Sequence, residues 1–126
     1  MTPQTLSVLP GRYAVVQLPP DAPLPPLAGA FWSLTRTADE LSLVCAEAEV
    51  PPGSTAADGW VAFKLHGPFP FHLTGILASV LNPLRDVEVG IFALSTFDTD
   101  YVLVKQAQQP EATAALRAAG HTVLEA

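Results

Sequence analysis

Positive charge is scarce in this chain of 126 residues: six Lys and Arg stand against twelve Asp and Glu, a formal net charge of −6. A nucleic-acid binder normally carries a basic stripe or cluster, and none occurs here, so that class is disfavoured. Cysteine is limited to Cys45, which excludes an internal disulfide framework and a multi-cysteine zinc site. Charge of either sign is low at 14%, while 49% of residues are hydrophobic and the mean hydropathy is +0.32. That balance is the reverse of intrinsic disorder. No G-x-S-x-G, P-loop or G-x-G-x-x-G occurs, and His66, His72 and His121 lack metal-ligand spacing. They read as packed or surface histidines, and no cofactor or metal is expected.

Membrane features are sparse too. Met1-Thr2-Pro3-Gln4 has no cationic region followed by an apolar one, so no signal peptide is expected. Leu65 to Leu84 contains no Asp, Glu, Lys or Arg and is long enough to span a bilayer. However, His66, His72, Thr74 and Asn82 are polar, and Pro68, Pro70 and Pro83 interrupt the stretch. The expectation is a soluble, cytoplasmic protein without membrane contact.

Proline is abundant. Of thirteen, nine precede Gly53, so the first part of the chain cannot be mainly helical. Residues 12–18 read as a strand ending at Pro19-Pro20, and residues 19–28 as an extended or turn-rich connection. Phe31 to Thr37 alternates with period two; Ala38-Asp39 turns, and Glu40 to Ala46 returns, as in a hairpin. Cys45 lies in that apolar run and reads as a small buried hydrophobe. Residues 51–55 read as a loop.

The second half changes character. Trp60 to His66 reads as a strand. Leu73, Ile76, Leu77, Val80, Leu81 and Leu84 then fall at helical steps, with Pro83 placed to end or kink the helix. Val87 to Ser95 reads as a buried strand, residues 96–100 as a turn, and Tyr101 to Lys105 as the returning strand. Pro110 opens a second helix, with Ala112, Ala115, Leu116 and Ala119 inward and Gly120 as its cap. Thr122 to Leu124 closes the chain as a strand. From Trp60 the order is β-α-β-β-α-β, an α+β, ferredoxin-like arrangement with an antiparallel sheet and two helices on one face. The other face needs cover from the first half or from another subunit, hence an expected homodimer.

Three stretches carry a resemblance: Phe31 to Cys45; Gly67-Pro68-Phe69-Pro70-Phe71-His72-Leu73-Thr74-Gly75; and Ser95-Thr96-Phe97-Asp98-Thr99-Asp100-Tyr101-Val102-Leu103-Val104. Together they resemble the small bacterial ACT-domain proteins, similar to the ACT modules of aspartate kinase and of the cytosolic arginine sensor. The resemblance implies an ACT fold, with residues 1–56 as a strand-rich, truncated ACT-like half and residues 57–126 as a complete ACT domain. It further implies regulatory binding of a small ligand, usually an amino acid, at an interface between ACT modules. Where a helix would follow the first strand of the first half, this chain has its proline-rich connection.

On the residues alone, two readings of the loop after the Trp60 strand stay open. It could be a turn punctuated by Gly and Pro. Alternatively, Gly67 and Gly75 admit a ligand close to the backbone, and free amides of a first helical turn near Phe71 to Thr74 receive a carboxylate. Asp98 and Asp100, flanked by Ser95, Thr96 and Thr99, are equally open between a solvated turn and carboxylates that accept hydrogen bonds from an ammonium or guanidinium. The resemblance implies ligand binding by Gly67, Phe71, Leu73, Thr74, Gly75, Ser95, Thr96, Asp98 and Asp100. Asp39 and Glu40 occupy a comparable turn in the first half and are weaker candidates. The aromatic residues, Phe71 and Phe97 among them, read as core or interface packing.

The function expected is therefore regulatory and non-catalytic: amino-acid binding by a homodimer, read out by a regulated enzyme partner. Two alternatives remain, a structural dimerisation module without ligand, and a small acid–base enzyme using Asp98 or Asp100 with His66 or His72.

Overall fold

The computed structural model describes residues 3–125; Met1, Thr2 and Ala126, and with them the start of the amino-terminal stretch read above, lie outside the described residues. The chain forms two compact units, Gly11–Trp60 and a second made of residues 3–10 with 61–125.

In the Gly11–Trp60 unit, β2 (Tyr13–Leu18) pairs antiparallel with β4 (Leu41–Ala46) and with the start of β5 (Thr55–Leu65), while β3 (Ser33–Arg36) pairs with β4. Ala14, Val16, Leu43 and Cys45 form its core, with Leu18, Leu27, Leu34 and Val50 packed against them. The hairpin joining β3 to β4 is held by Thr37, whose hydroxyl accepts from the backbone N–H groups of Asp39 (3.1 Å) and Glu40 (3.2 Å). Residues 19–28 contain neither helix nor strand, as their prolines require. The Arg36 guanidinium ties them down by donating to the carbonyls of Pro20 and Ala22. β5 starts at Thr55, five residues earlier than the expected strand. Ala56, Ala57 and Asp58 are poor strand formers, but pairing with β2 overrides that preference.

In the second unit, β5 is followed by α1 (Ile76–Asp86), β6 (Ile91–Ser95), β7 (Asp100–Lys105), α2 (Gln109–Ala118) and β8 (Thr122–Leu124). This is the expected β-α-β-β-α-β order, and the α+β, ferredoxin-like reading holds. One strand is added that the sequence reading lacked: β1 (Thr5–Val8) lies between β5, antiparallel to it, and β8, parallel to it. The sheet of this unit is therefore not wholly antiparallel. Both helices pack on one face, where Val80 and Leu84 of α1 and Ala112 and Leu116 of α2 meet Leu6, Phe63, Leu65, Val102, Val104 and Val123 from the strands.

Four expectations are corrected in this unit. Leu73 is 49% exposed and precedes α1, so it is not on the buried helical face. Ala119 is exposed, and Thr113 takes its expected place inside. Val87 to Gly90 is not strand. Glu88 there has φ +59; its N–H bonds the Arg85 carbonyl (2.9 Å) and the Val89 N–H bonds the Leu84 carbonyl (3.0 Å). That pair of bonds is a Schellman helix end, with buried Val89 and Leu84 as its hydrophobic contact. Pro83 does not end α1, which continues to Asp86.

Candidate functional site

Two segments of the second unit are fastened to one another: the loop after β5 and the turn between β6 and β7. Gly67 lies so close to that turn that a Cβ on it would stand 2.7 Å from the Asp98 carbonyl oxygen and 3.1 Å from the Thr99 Cβ. The Phe69 N–H donates to the same Asp98 oxygen at 2.8 Å. Buried Thr99 donates its hydroxyl to the Leu65 carbonyl at 2.7 Å, and the Thr96 N–H donates to the Thr99 carbonyl at 2.8 Å. The turn is thus a rigid shelf beside the loop.

Shelf, loop and the start of α1 enclose a cavity of about 330 Å³. α1 begins at Ile76 after Gly75, which has φ +79 and so needs glycine; no side chain caps the helix. The first amides of an α-helix have no partner within it and carry the positive end of its dipole. Ile76, Leu77 and Ala78 line the cavity, so this end faces it. Asp98 and Asp100 supply negative charge from the turn. The Ser95 hydroxyl donates to Oδ1 of Asp100, orienting that carboxylate and leaving its second oxygen for another donor. The Asp98 carboxylate has no partner among the described residues. Phe71 and Phe97 meet edge-to-face, 5.0 Å between centroids at 82°, and are 77% and 79% exposed.

A second cavity of about 520 Å³ shares Thr96, Asp98 and Thr99 with the first and adds Gly67, Lys64 and His66. Of the residues singled out from the sequence, Phe71, Leu73, Gly75, Ser95, Thr96, Asp98 and Asp100 line the first cavity. Gly67 lines the second, and Thr74 lines neither. The amides expected near Phe71 to Thr74 are not those of a helical turn, because α1 starts later. Ile76 to Ala78 take that place and were missed; the signal was Gly75 directly ahead of the strict Ile76, Leu77, Val80, Leu81, Leu84 spacing. Phe71 and Phe97 are exposed, not core, and their pairing had no signature in the sequence.

Elsewhere, Asp39 and Glu40 belong to the turn organised by Thr37. His66 pairs with Ser7 (Nε2 to Oγ, 2.5 Å), His72 is exposed, and His121 is buried. Burial, and secondarily the charge of Glu49, pushes the Cys45 thiol up from its ordinary value, which suits packing and not nucleophilic work. Among the described residues no group of His, Cys, Asp and Glu could hold a metal ion, and no helix is long and apolar enough to cross a membrane.

The family model for the ACT domain matches residues 55–118, which contain both walls of the first cavity. The chain belongs to the ACT-domain family. A second family model, for an N-terminal domain, matches residues 11–53 of this ACT protein. The chain is 33% identical over 96 residues to the human protein CASTOR3P, covering 66% of this chain and 59% of that protein. It is 31% identical over 87 residues to the bovine cytosolic arginine sensor for mTORC1 subunit 1, covering 60% of this chain and 26% of that one. It therefore spans less than two-thirds of the length of either. A crystal structure of a protein from Agrobacterium tumefaciens superposes with a TM-score of 0.94 at 38% identity, over 100% of this chain and 96% of that one. The regulatory subunit of aspartate kinase from Thermus thermophilus shares the fold, with a TM-score of 0.62 at 10% identity over 91% and 94% of the two chains.

Proposed function

We propose that the protein is a non-catalytic, cytoplasmic regulator whose first cavity binds an amino acid. One observation carries the reading: a single cavity joins the uncapped start of α1 to the Asp98 and Asp100 carboxylates. A free amino acid carries a carboxylate and an ammonium on one carbon. The helix start takes the first, and Asp100, held by Ser95, takes the second. The volume lies at the small end of ligand cavities, about 300–1,000 Å³, as a metabolite of this size requires. The arginine-sensing name of the bovine relative supports this class of ligand.

The chain acts as two ACT-like parts, a strand-rich one over Gly11–Trp60 and a βαββαβ module to which β1 adds a strand. Exposed Phe71, Leu73 and Phe97 beside the cavity favour a homodimer in which a second module closes over the ligand. Ligand binding favours one arrangement of paired modules through its higher affinity for it, and a partner enzyme responds. Thermal shift across the twenty amino acids tests this. A ligand at one hundred times its dissociation constant adds about 2.7 kcal/mol of stability. Asp100→Asn abolishes that increment and leaves the unliganded melting point nearly unchanged. No shift with any amino acid leaves a structural pairing module as the function; an unaltered shift in Asp100→Asn removes Asp100 from the site.

A further inference from the structure

The geometry points to a second, separate site in the larger cavity, one that takes the oxyanion group of a small metabolite, carboxylate or phosphate, on Lys64, Ser7 and His66. The strand pattern assembles it. Phe63 and Leu65 of β5 lie in the core beneath the helices, so Lys64 and His66 emerge on the opposite face. Leu6 of β1 lies in that core as well, so Ser7 emerges with them, directly opposite Lys64 in the β1–β5 register. β7 pairs β5, and with Val102 and Val104 in the core, Tyr101 emerges on this same face. These side chains line a cavity of about 520 Å³.

The chemistry favours an anion. Lys64 makes no ion pair with any described residue, although the chain holds twice as many acidic as basic side chains. The Ser7 hydroxyl and His66 Nε2 hold one another at 2.5 Å, and the backbone N–H of His66 donates to the Thr5 carbonyl at 2.8 Å. The two side chains therefore hold one another on the cavity lining they share with Lys64. The Lys64 ammonium makes charge-assisted hydrogen bonds to an oxyanion, and the Ser7–His66 pair, whose mutual bond uses one of its two hydrogens, adds one neutral donor. The two cavities thus differ in what they present: a helix start facing two carboxylates in the first, and a lysine with the Ser7–His66 pair in the second. Asp98 lines both, and in the second its charge opposes the ligand.

Isothermal titration of the full chain with inorganic phosphate and, separately, with sodium succinate at constant ionic strength tests the site. One probe or both bind saturably at one equivalent per chain; which one does so distinguishes a phosphate-bearing from a carboxylate-bearing ligand. Lys64→Gln weakens binding about tenfold or more with an unchanged melting temperature, as expected for an exposed side chain. Asp98→Asn tightens binding severalfold, the sign a like charge dictates, whereas Asp100→Asn leaves it unchanged. Any amino-acid response of the first cavity persists in Lys64→Gln, so either site can fail without the other. Saturable binding by neither probe, undiminished binding in Lys64→Gln, or weaker binding in Asp98→Asn overturns the assignment.

Discussion

Nε2 of His121 donates a 2.8 Å hydrogen bond to the carbonyl of Ser79, deep against α1. Ser79 is four residues before Pro83, so its carbonyl is the one that a proline, lacking N–H, leaves without a helical donor. Nδ1 of the same ring accepts from the Gln4 N–H at 2.9 Å, which places the ring proton on Nε2. His121 is itself positioned by the end of α2, where Gly120 has φ +98 and the His121 N–H bonds the Leu116 carbonyl. Pro83 is thus tolerated inside a helix because a residue from the far end of the chain supplies the missing donor.

A double-mutant cycle checks this. His121→Leu strands a buried carbonyl and costs about 1–3 kcal/mol. In a Pro83→Ala background, residue 83 has an N–H for Ser79, and the cost of His121→Leu falls. Equal costs in both backgrounds, measured by urea unfolding, would sever the two residues.

Gly67→Ala is expected to distort the site from outside it. The added methyl meets the Asp98 backbone oxygen at 2.7 Å, and a backbone atom cannot move alone. Overpacking of this kind costs about 1–3 kcal/mol. Displacement of the turn also weakens the amino-acid response, although Gly67 has no side chain to contact a ligand. A variant of native stability and native response would show that the turn yields freely.

Glu88→Gly is expected to stabilise the protein. Glu88 holds a left-handed φ of +59 at the Schellman end of α1, a conformation that costs a non-glycine residue about 1–2 kcal/mol. Glycine's greater freedom in the unfolded chain offsets part of the gain. A midpoint rise worth up to about 1 kcal/mol is the expected result, and a fall would contradict the strain.

Alkaline stability follows from Cys45 and Tyr13. Burial raises the Cys45 thiol above 9.0, with Glu49 adding to the rise, and burial raises Tyr13 above 10.0. In each the folded state holds its proton more tightly than the unfolded chain does. Their contribution is therefore fully present below about pH 9 and is lost as pH climbs through the raised values. Cys45→Ala flattens the decline above pH 9; chemical unfolding at pH 7, 9 and 10 in both proteins measures it. An identical decline in the variant would assign the loss elsewhere.

Legibility in the sequence tracked how local each signal is. The α1 and α2 stripes, the strand around Val102 and the cap at Gly120 depend on near neighbours and were readable. β1 was not, because a four-residue strand between Pro3 and Pro10 acquires its conformation from β5 and β8, which are distant in sequence. Glu88 was not, because nothing in a glutamate marks a left-handed position. The polar residues of the first cavity were legible as two separate clusters, Gly67 to Gly75 and Ser95 to Asp100. That Ser95 orients Asp100, and that Phe71 meets Phe97, required the fold.

The segment clasped by Arg36 has a consequence for the unfolded protein. Five prolines among residues 19–28 restrict the backbone whether or not the chain is folded. Little freedom is left for folding to remove, so two carbonyl contacts from Arg36 and the packing of Leu27 on the core of that unit order a stretch without regular structure. Replacing these prolines with alanine would lower stability by about 0.4–1 kcal/mol each without deleting a visible contact. The stiffness of this connection belongs as much to the denatured ensemble as to the native one.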